Sequence, residues 1–232
     1  MNIDDVKVVD CPSDDRVWPA IFLRQAELAE KYSPIERRNG FYYPDVVLRS
    51  ENDVCLISAP KIDDAVFQNW LKGMFWRVTE EVAEALENPV DSEVLRTWRN
   101  HFDTDTDLRH MLEELADALH FLVEVSISVG FSGRDICAIW DTLPVMSDGA
   151  SVRELCMDMI VSMGLCANTL KNKPWKNTQM PTDFGRFLGS LRVVWVSMVH
   201  LWRDGLGFKP VEVYTLYTKK ACVNAFRQRT NY

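Results

Sequence analysis

The chain is most constrained by two acidic helical stretches, Thr79-Glu80-Glu81-Val82-Ala83-Glu84-Ala85-Leu86 and Glu113-Glu114-Leu115-Ala116-Asp117-Ala118-Leu119-His120-Phe121. Each holds two carboxylates three residues apart, Glu81 with Glu84 and Glu114 with Asp117, and on a helix that spacing puts both on one face. In the first stretch the apolar positions Phe67, Leu71, Met74, Val78 and Ala85 step by three and four, and Glu81 falls within the series. In the second, Met111, Leu115, Ala118, Leu122, Val125 and Val129 make the stripe, with Glu114 between Met111 and Ala118 and Asp117 flanking it. Two antiparallel helices packed along these stripes bring four carboxylates together, and cations must answer them. Hard oxygen donors of this kind suit magnesium or manganese better than zinc. Glu-x-x-Glu is also common in solvated helices, and Glu80, Glu87 and Glu113 read as no more than that.

At 232 residues the chain is long enough to bury a full core, and residues 1–232 are expected to form a single domain. A net charge of −8 argues against a binder of nucleic-acid polymer, whereas a nucleotide carrying its own metal ions stays compatible. Six scattered cysteines without Cys-x-x-Cys spacing read as reduced thiols of a cytoplasm. The acidic start lacks the pattern of a signal peptide, and no apolar run has the length of a membrane span.

Along the chain, residues 1–17 read as an extended lead-in. An amphipathic helix is expected from about Ala20 to Tyr32, carrying Gln25 and ending before Ser33-Pro34. Residues 33–61, punctuated by Pro34, Gly40, Pro44 and Pro60, read as a loop or small hairpin over a helical core, with Phe41-Tyr42-Tyr43 and Val54-Cys55-Leu56-Ile57 strand-like. The first acidic helix spans about Ile62 to Glu87, and a short helix follows from Ser92 to His101. Asp103-Thr104-Asp105-Thr106-Asp107 imitates a calcium loop but has Leu108 where the turn needs glycine, so Thr106 or Asp107 is expected to cap the second acidic helix. That helix ends at Gly130-Phe131. Ser132 and Ser151 open capping boxes for the next two helices; a long helix runs from Thr182 to Arg203, and the last from Val211 to about Gln228.

The last helix gathers Tyr217, Lys220, Asn224 and Arg227, spaced three, four and three apart, into one polar stripe. Lysine, asparagine and arginine stacked this way suit a phosphate grip, since arginine binds two oxygens at once. A basic solvated helix end explains Lys220 and Arg227 equally well but not Asn224.

With both acidic pairs and this stripe, the sequence resembles the dimeric all-α dUTPases, within the all-α NTP pyrophosphatase superfamily that also holds MazG-type enzymes and phage dCTP pyrophosphatases. The match runs through Glu81-Val-Ala-Glu84, Glu114-Leu-Ala-Asp117 into His120-Phe121, Lys220-Ala-Cys-Val-Asn224-Ala-Phe-Arg227-Gln228 and a closing Tyr232. Gln25 stands where that family places a base-contacting glutamine. The resemblance implies an all-α helical bundle working as a homodimer, and magnesium held by Glu81, Glu84, Glu114 and Asp117. It also implies substrate contacts from Gln25, Tyr217, Lys220, Asn224, Arg227 and Tyr232. Glu81 or Glu84 would orient or deprotonate the attacking water, converting dUTP to dUMP and pyrophosphate. Alternatives are a dCTP or other deoxynucleotide pyrophosphatase, and a catalytically silent helical binder. The chain departs from the family pattern at Ala29, where an asparagine is usual, and at Asn231, where a glycine precedes the final tyrosine. The first departure bears on uracil selectivity, because a site reads a base edge by the hydrogen bonds it can complete.

Overall fold

The computed structural model describes residues 3–8, 10–49, 53–56, 62–86, 105–146, 150–173, 175–177 and 180–230. Among these, seven α-helices form a bundle: α1 (Val17–Arg38), α2 (Ala65–Glu84), α3 (Asp105–Ser128), α4 (Gly133–Thr142), α5 (Val152–Thr169), α6 (Phe184–Val199) and α7 (Pro210–Thr230). One antiparallel hairpin, β1 (Val46–Arg49) with β2 (Asp53–Leu56), lies against α1 and α3, pairing Val46 with Leu56 and Arg49 with Asp53. The expected all-α architecture with a small hairpin insertion is therefore the one observed. The expected helix at Ser92–His101 and the closing Tyr232 fall outside the described residues.

The centre of the bundle is α3, against which α1, α2 and α7 pack. All six residues of its expected apolar stripe are buried, from Met111 to Val129, as are Phe67, Leu71, Met74, Val78 and Ala85 opposite them around α2. Burying side chains of this size stabilises by roughly 1.5–3 kcal/mol each, which makes the α2–α3 seam the main apolar contact near the acidic pairs. Trp18, Trp195 and Trp202 are fully buried, and the Trp195 indole donates to Ser126 Oγ at 2.8 Å, tying α6 to α3.

Several boundaries follow the sequence closely. Gly130 closes α3 with a φ of 77°, a conformation cheap only for glycine, and Ser132 and Ser151 carry full capping boxes with Asp135 and Glu154. Gly133 is required for a second reason: a Cβ there would meet the Pro19 backbone nitrogen at 2.5 Å, so α4 can cross α1 only without a side chain.

Other boundaries differ. The lead-in is not wholly extended, since Ile3–Asp5 and Asp14–Arg16 form 3-10 turns. Phe41-Tyr42-Tyr43 is not a strand; pairing begins at Val46. Thr106 and Asp107 lie inside α3, which already begins at Asp105. The α-helical part of the long core helix stops at Val199, and His200–Gly205 widens into a π-turn. There Arg203 donates to the carbonyls of Trp140, Leu143 and Pro144, at the end of α4, while pairing with Asp204.

The largest departure is α1, which passes through Pro34 and continues to Arg38 instead of ending before Ser33. Proline removes one helical hydrogen bond and crowds the preceding turn. That cost is offset by tertiary contacts: Glu36 accepts from Arg77 on α2 at 2.8 Å, and Arg37 donates to the Tyr43 carbonyl at 2.9 Å and pairs with Asp45.

Candidate active site

The last turn of α2 meets the first half of α3. There Glu81, Glu114 and Asp117 offer oxygens that all lie within 4.8 Å of one another. Three of the four expected carboxylates thus converge; Glu84, the last residue of α2, is exposed and lies outside this group. Burial first, then the charge of Asp117 and a hydrogen bond with Glu114, push the Glu81 carboxyl up to about 8. A proton on Glu81 relieves the repulsion among the three groups. Such an all-oxygen set fits a hard divalent ion such as magnesium or manganese.

A cation from within the chain also meets these carboxylates. Lys220 on α7 is 2% exposed and places Nζ 3.1 Å from Asp117 and 3.4 Å from Glu113. Burial lowers its pKa, but the charges of Asp117, Glu114 and Glu113 more than compensate, and it stands above the usual lysine value. Asn224 Nδ2 donates to the other oxygen of Asp117 at 2.8 Å, and His110 lies 3.2 Å from Glu114. In this state two members of the α7 stripe bind the carboxylates. Arg227 is exposed and lines the cleft next to them.

That cleft, about 380 Å³, runs from Glu81, Asp117, Asn224 and Arg227 to Gln25, Leu28, Tyr32, Tyr43, His120 and Glu124. Its far end holds a buried polar network. Gln25 Oε1 accepts from the Tyr217 hydroxyl at 2.6 Å and lies 2.8 Å from His120 Nδ1, while its Nε2 donates to Glu124 at 2.9 Å. The Tyr43 hydroxyl donates to the other Glu124 oxygen. Burial holds the His120 imidazole neutral, with its pKa pushed down to about 3. The Glu124 carboxyl is pushed up to about 7, chiefly by burial; Glu36 adds to this, and the Tyr43 bond, Arg77 and the Gln25 bond oppose it. Arg77 also lines the cleft, with its guanidinium 5.5 Å from the Phe121 ring centre.

Of the residues singled out in the sequence, Gln25, Glu81, Asp117, Asn224 and Arg227 line this one cleft. Tyr217 stands behind it, fully buried, with His120 stacked on its ring at 3.9 Å between centres and its hydroxyl spent on Gln25. Ala29 is buried outside the lining, so α1 faces the cleft through Gln25, Leu28, Tyr32, Ile35 and Glu36. Glu124, Tyr43, Arg77 and Glu36 are members that the motifs did not reveal. Glu124 left a trace: it lies seven residues after Asp117, two turns along the same face, as a lone acid between Val123 and Val125.

With a carboxylate triad at one end of its cleft and a basic-polar helix beside it, this bundle is of the class of all-α nucleotide pyrophosphohydrolases, as its family match shows. The profile of the family described as dUTPase matches residues 60–232, well over half the chain. The protein belongs to this dUTPase family, of the all-α dimeric type, and is a nucleoside triphosphate pyrophosphohydrolase. The matched span includes both acidic pairs and the α7 stripe; α1 and Gln25 precede it. No match to a curated protein or to a solved structure was found.

Proposed function

We propose that the protein hydrolyses dUTP to dUMP and pyrophosphate with magnesium or manganese, as a cytoplasmic homodimer. The observation that carries this reading is the placement of Glu81, Glu114 and Asp117 at one end of a cleft whose other end holds the buried Gln25 amide. Glu81, Glu114 and Asp117, with Glu84 from the next turn of α2, would hold the ion. When bound, it supplies polarisation of phosphoryl oxygens and a water of lowered pKa. Glu81, in its ionised form, or Glu84 would orient the attacking water and accept its proton. Lys220, Asn224 and Arg227 would stabilise phosphate charge as it develops, Lys220 and Asn224 from their places beside Asp117. Gln25 contacts the base.

The alternative substrate is dCTP, because Ala29 contributes no hydrogen bond and α1 supplies only one amide to the base. Pyrophosphate release from a panel of deoxynucleoside triphosphates, with and without magnesium, tests the reading. The expected result is magnesium-dependent release with dUTP preferred, and near-complete loss in Glu81→Gln. Turnover by Glu81→Gln close to the parent's would remove the triad from the chemistry, and preference for dCTP would reassign the substrate.

A further inference from the structure

We propose that Glu124 is a positioning residue that sets the hydrogen-bond polarity of the base end of the cleft, making Gln25 a donor-only reader of an acceptor atom on the nucleobase. This rests on the reading of the cleft as a nucleotide site. The inference comes from counting donors and acceptors. Both lone pairs of Gln25 Oε1 are engaged, by the Tyr217 hydroxyl and His120 Nδ1, and one Nε2 hydrogen goes to Glu124. A primary amide has two hydrogens, so Gln25 keeps one N–H and no acceptor for a ligand.

What fixes that outcome is Glu124. Turned over, the amide has nearly the same shape, and its neighbours tolerate either orientation: a neutral imidazole can carry its proton on either nitrogen, and a hydroxyl can donate or accept. An ionised carboxylate only accepts. It therefore forces the N–H side of Gln25 toward itself and the carbonyl toward Tyr217 and His120, which in turn places the imidazole proton on Nδ1. His120 Nε2 is then left as a buried acceptor, and it has no hydrogen-bond partner. The base end accordingly offers one donor, from Gln25, while the Nε2 of His120, a residue that also lines the cleft, stays buried. A donor with no acceptor beside it suits a carbonyl oxygen on the base edge. Leaving a buried polar group unpaired is costly, so a base with the opposite pattern is rejected.

Glu124→Gln keeps size and hydrogen-bond number but replaces an acceptor-only group with one that can face either way; Glu124→Asp keeps the acceptor. The first measurement needs no substrate: the His120 tautomer, read by nitrogen-15 NMR in buffer well above pH 7, where a carboxyl pushed up to about 7 is ionised. The parent and Glu124→Asp are expected to show the Nδ1–H form alone, and Glu124→Gln a second tautomer. The Tyr217 carbonyl near the ring acts equally in all three, so the difference reports Glu124. A pure Nδ1–H form persisting in Glu124→Gln overturns the proposal.

The second measurement is the ratio of kcat/KM for dUTP and dCTP. Parent discrimination of tenfold or more is expected to fall to within about threefold in Glu124→Gln, mainly through KM, and to be largely kept in Glu124→Asp. A parent without discrimination, or a ratio unchanged in Glu124→Gln, overturns the proposal. Gln25→Leu separates the two levels: loss of discrimination there but not in Glu124→Gln sinks only the role of Glu124. A ratio unchanged in Gln25→Leu sinks the assignment of the base end as well.

Discussion

At the scale of single residues, Glu81 and Asp117 act oppositely although both belong to one acidic cluster. Glu81 holds a proton because it is buried and then crowded by like charge, so Glu81→Gln should leave the metal-free protein as stable as the parent or more so. Asp117 holds Lys220, which is 2% exposed, so Asp117→Asn should cost about 1–3 kcal/mol by weakening a buried ion pair, read from denaturant unfolding without metal. Equal effects of the two substitutions would contradict this. The raised carboxyls also fix a pH response. Acids with folded values of about 8 and about 7, against 4.5 for Glu in water, bind more protons folded than unfolded between these limits. Their contribution is complete below about pH 4.5 and is lost as pH rises through 7 to 8. Metal-free protein should lose stability over that upper range, and Glu81→Gln should flatten the loss by on the order of 1 kcal/mol after solvent screening. The acidic pairs were legible in the sequence because their spacing is local to one helix each. Glu124 was not, because its partners Gln25 and Tyr43 come from α1 and the loop after it, and only tertiary packing brings them to α3.

At the scale of elements, most helix ends could be read from capping boxes and glycines, and the exception is instructive. The turns of α1 beyond Pro34 carry Glu36 and Arg37, which hold Arg77 and the Tyr43 loop at the cleft. A local rule about proline thus gave way to two long-range anchors at the functional end of the molecule. The α7 stripe was legible as one face, but its state was not: helical spacing says nothing of whether Lys220 and Asn224 meet phosphate or carboxylate. Arg227 reaches the cleft from the exposed side of that helix. Arg227→Ala should therefore lower kcat/KM by about 2–4 kcal/mol, with kcat reduced as well as KM raised, if its charge works in the transition state. Steady-state kinetics decide this, and parental values would leave α7 as a solvated basic helix.

At the scale of the whole molecule, one stripe of the apolar surface left outside the core lies on α5 and α6, where a second copy can cover it. On α5, Met157, Val161 and Leu165 recur every four residues and are 44, 57 and 63% exposed, and Val193 on the adjoining α6 is 54% exposed. Gly164 and Gly189 sit on the exposed sides of the same two helices, where an added Cβ would meet nothing within 4 Å, so another helix can approach closely. A two-fold axis through this face would bury the same stripe on both protomers, the self-complementary arrangement of a closed dimer. It would also be more apolar than a transient contact, as permanent interfaces are. Each buried valine or leucine contributes roughly 1.5–3 kcal/mol, and a carboxylate in its place adds desolvation, so Val161→Asp with Leu165→Glu should weaken association by several hundredfold or more. Light scattering at micromolar concentration should give twice the chain mass for the parent and the single-chain mass for the double variant, with helical content kept in circular dichroism. A parent of single-chain mass would refute the dimer, and a dimeric double variant would move the interface to another face.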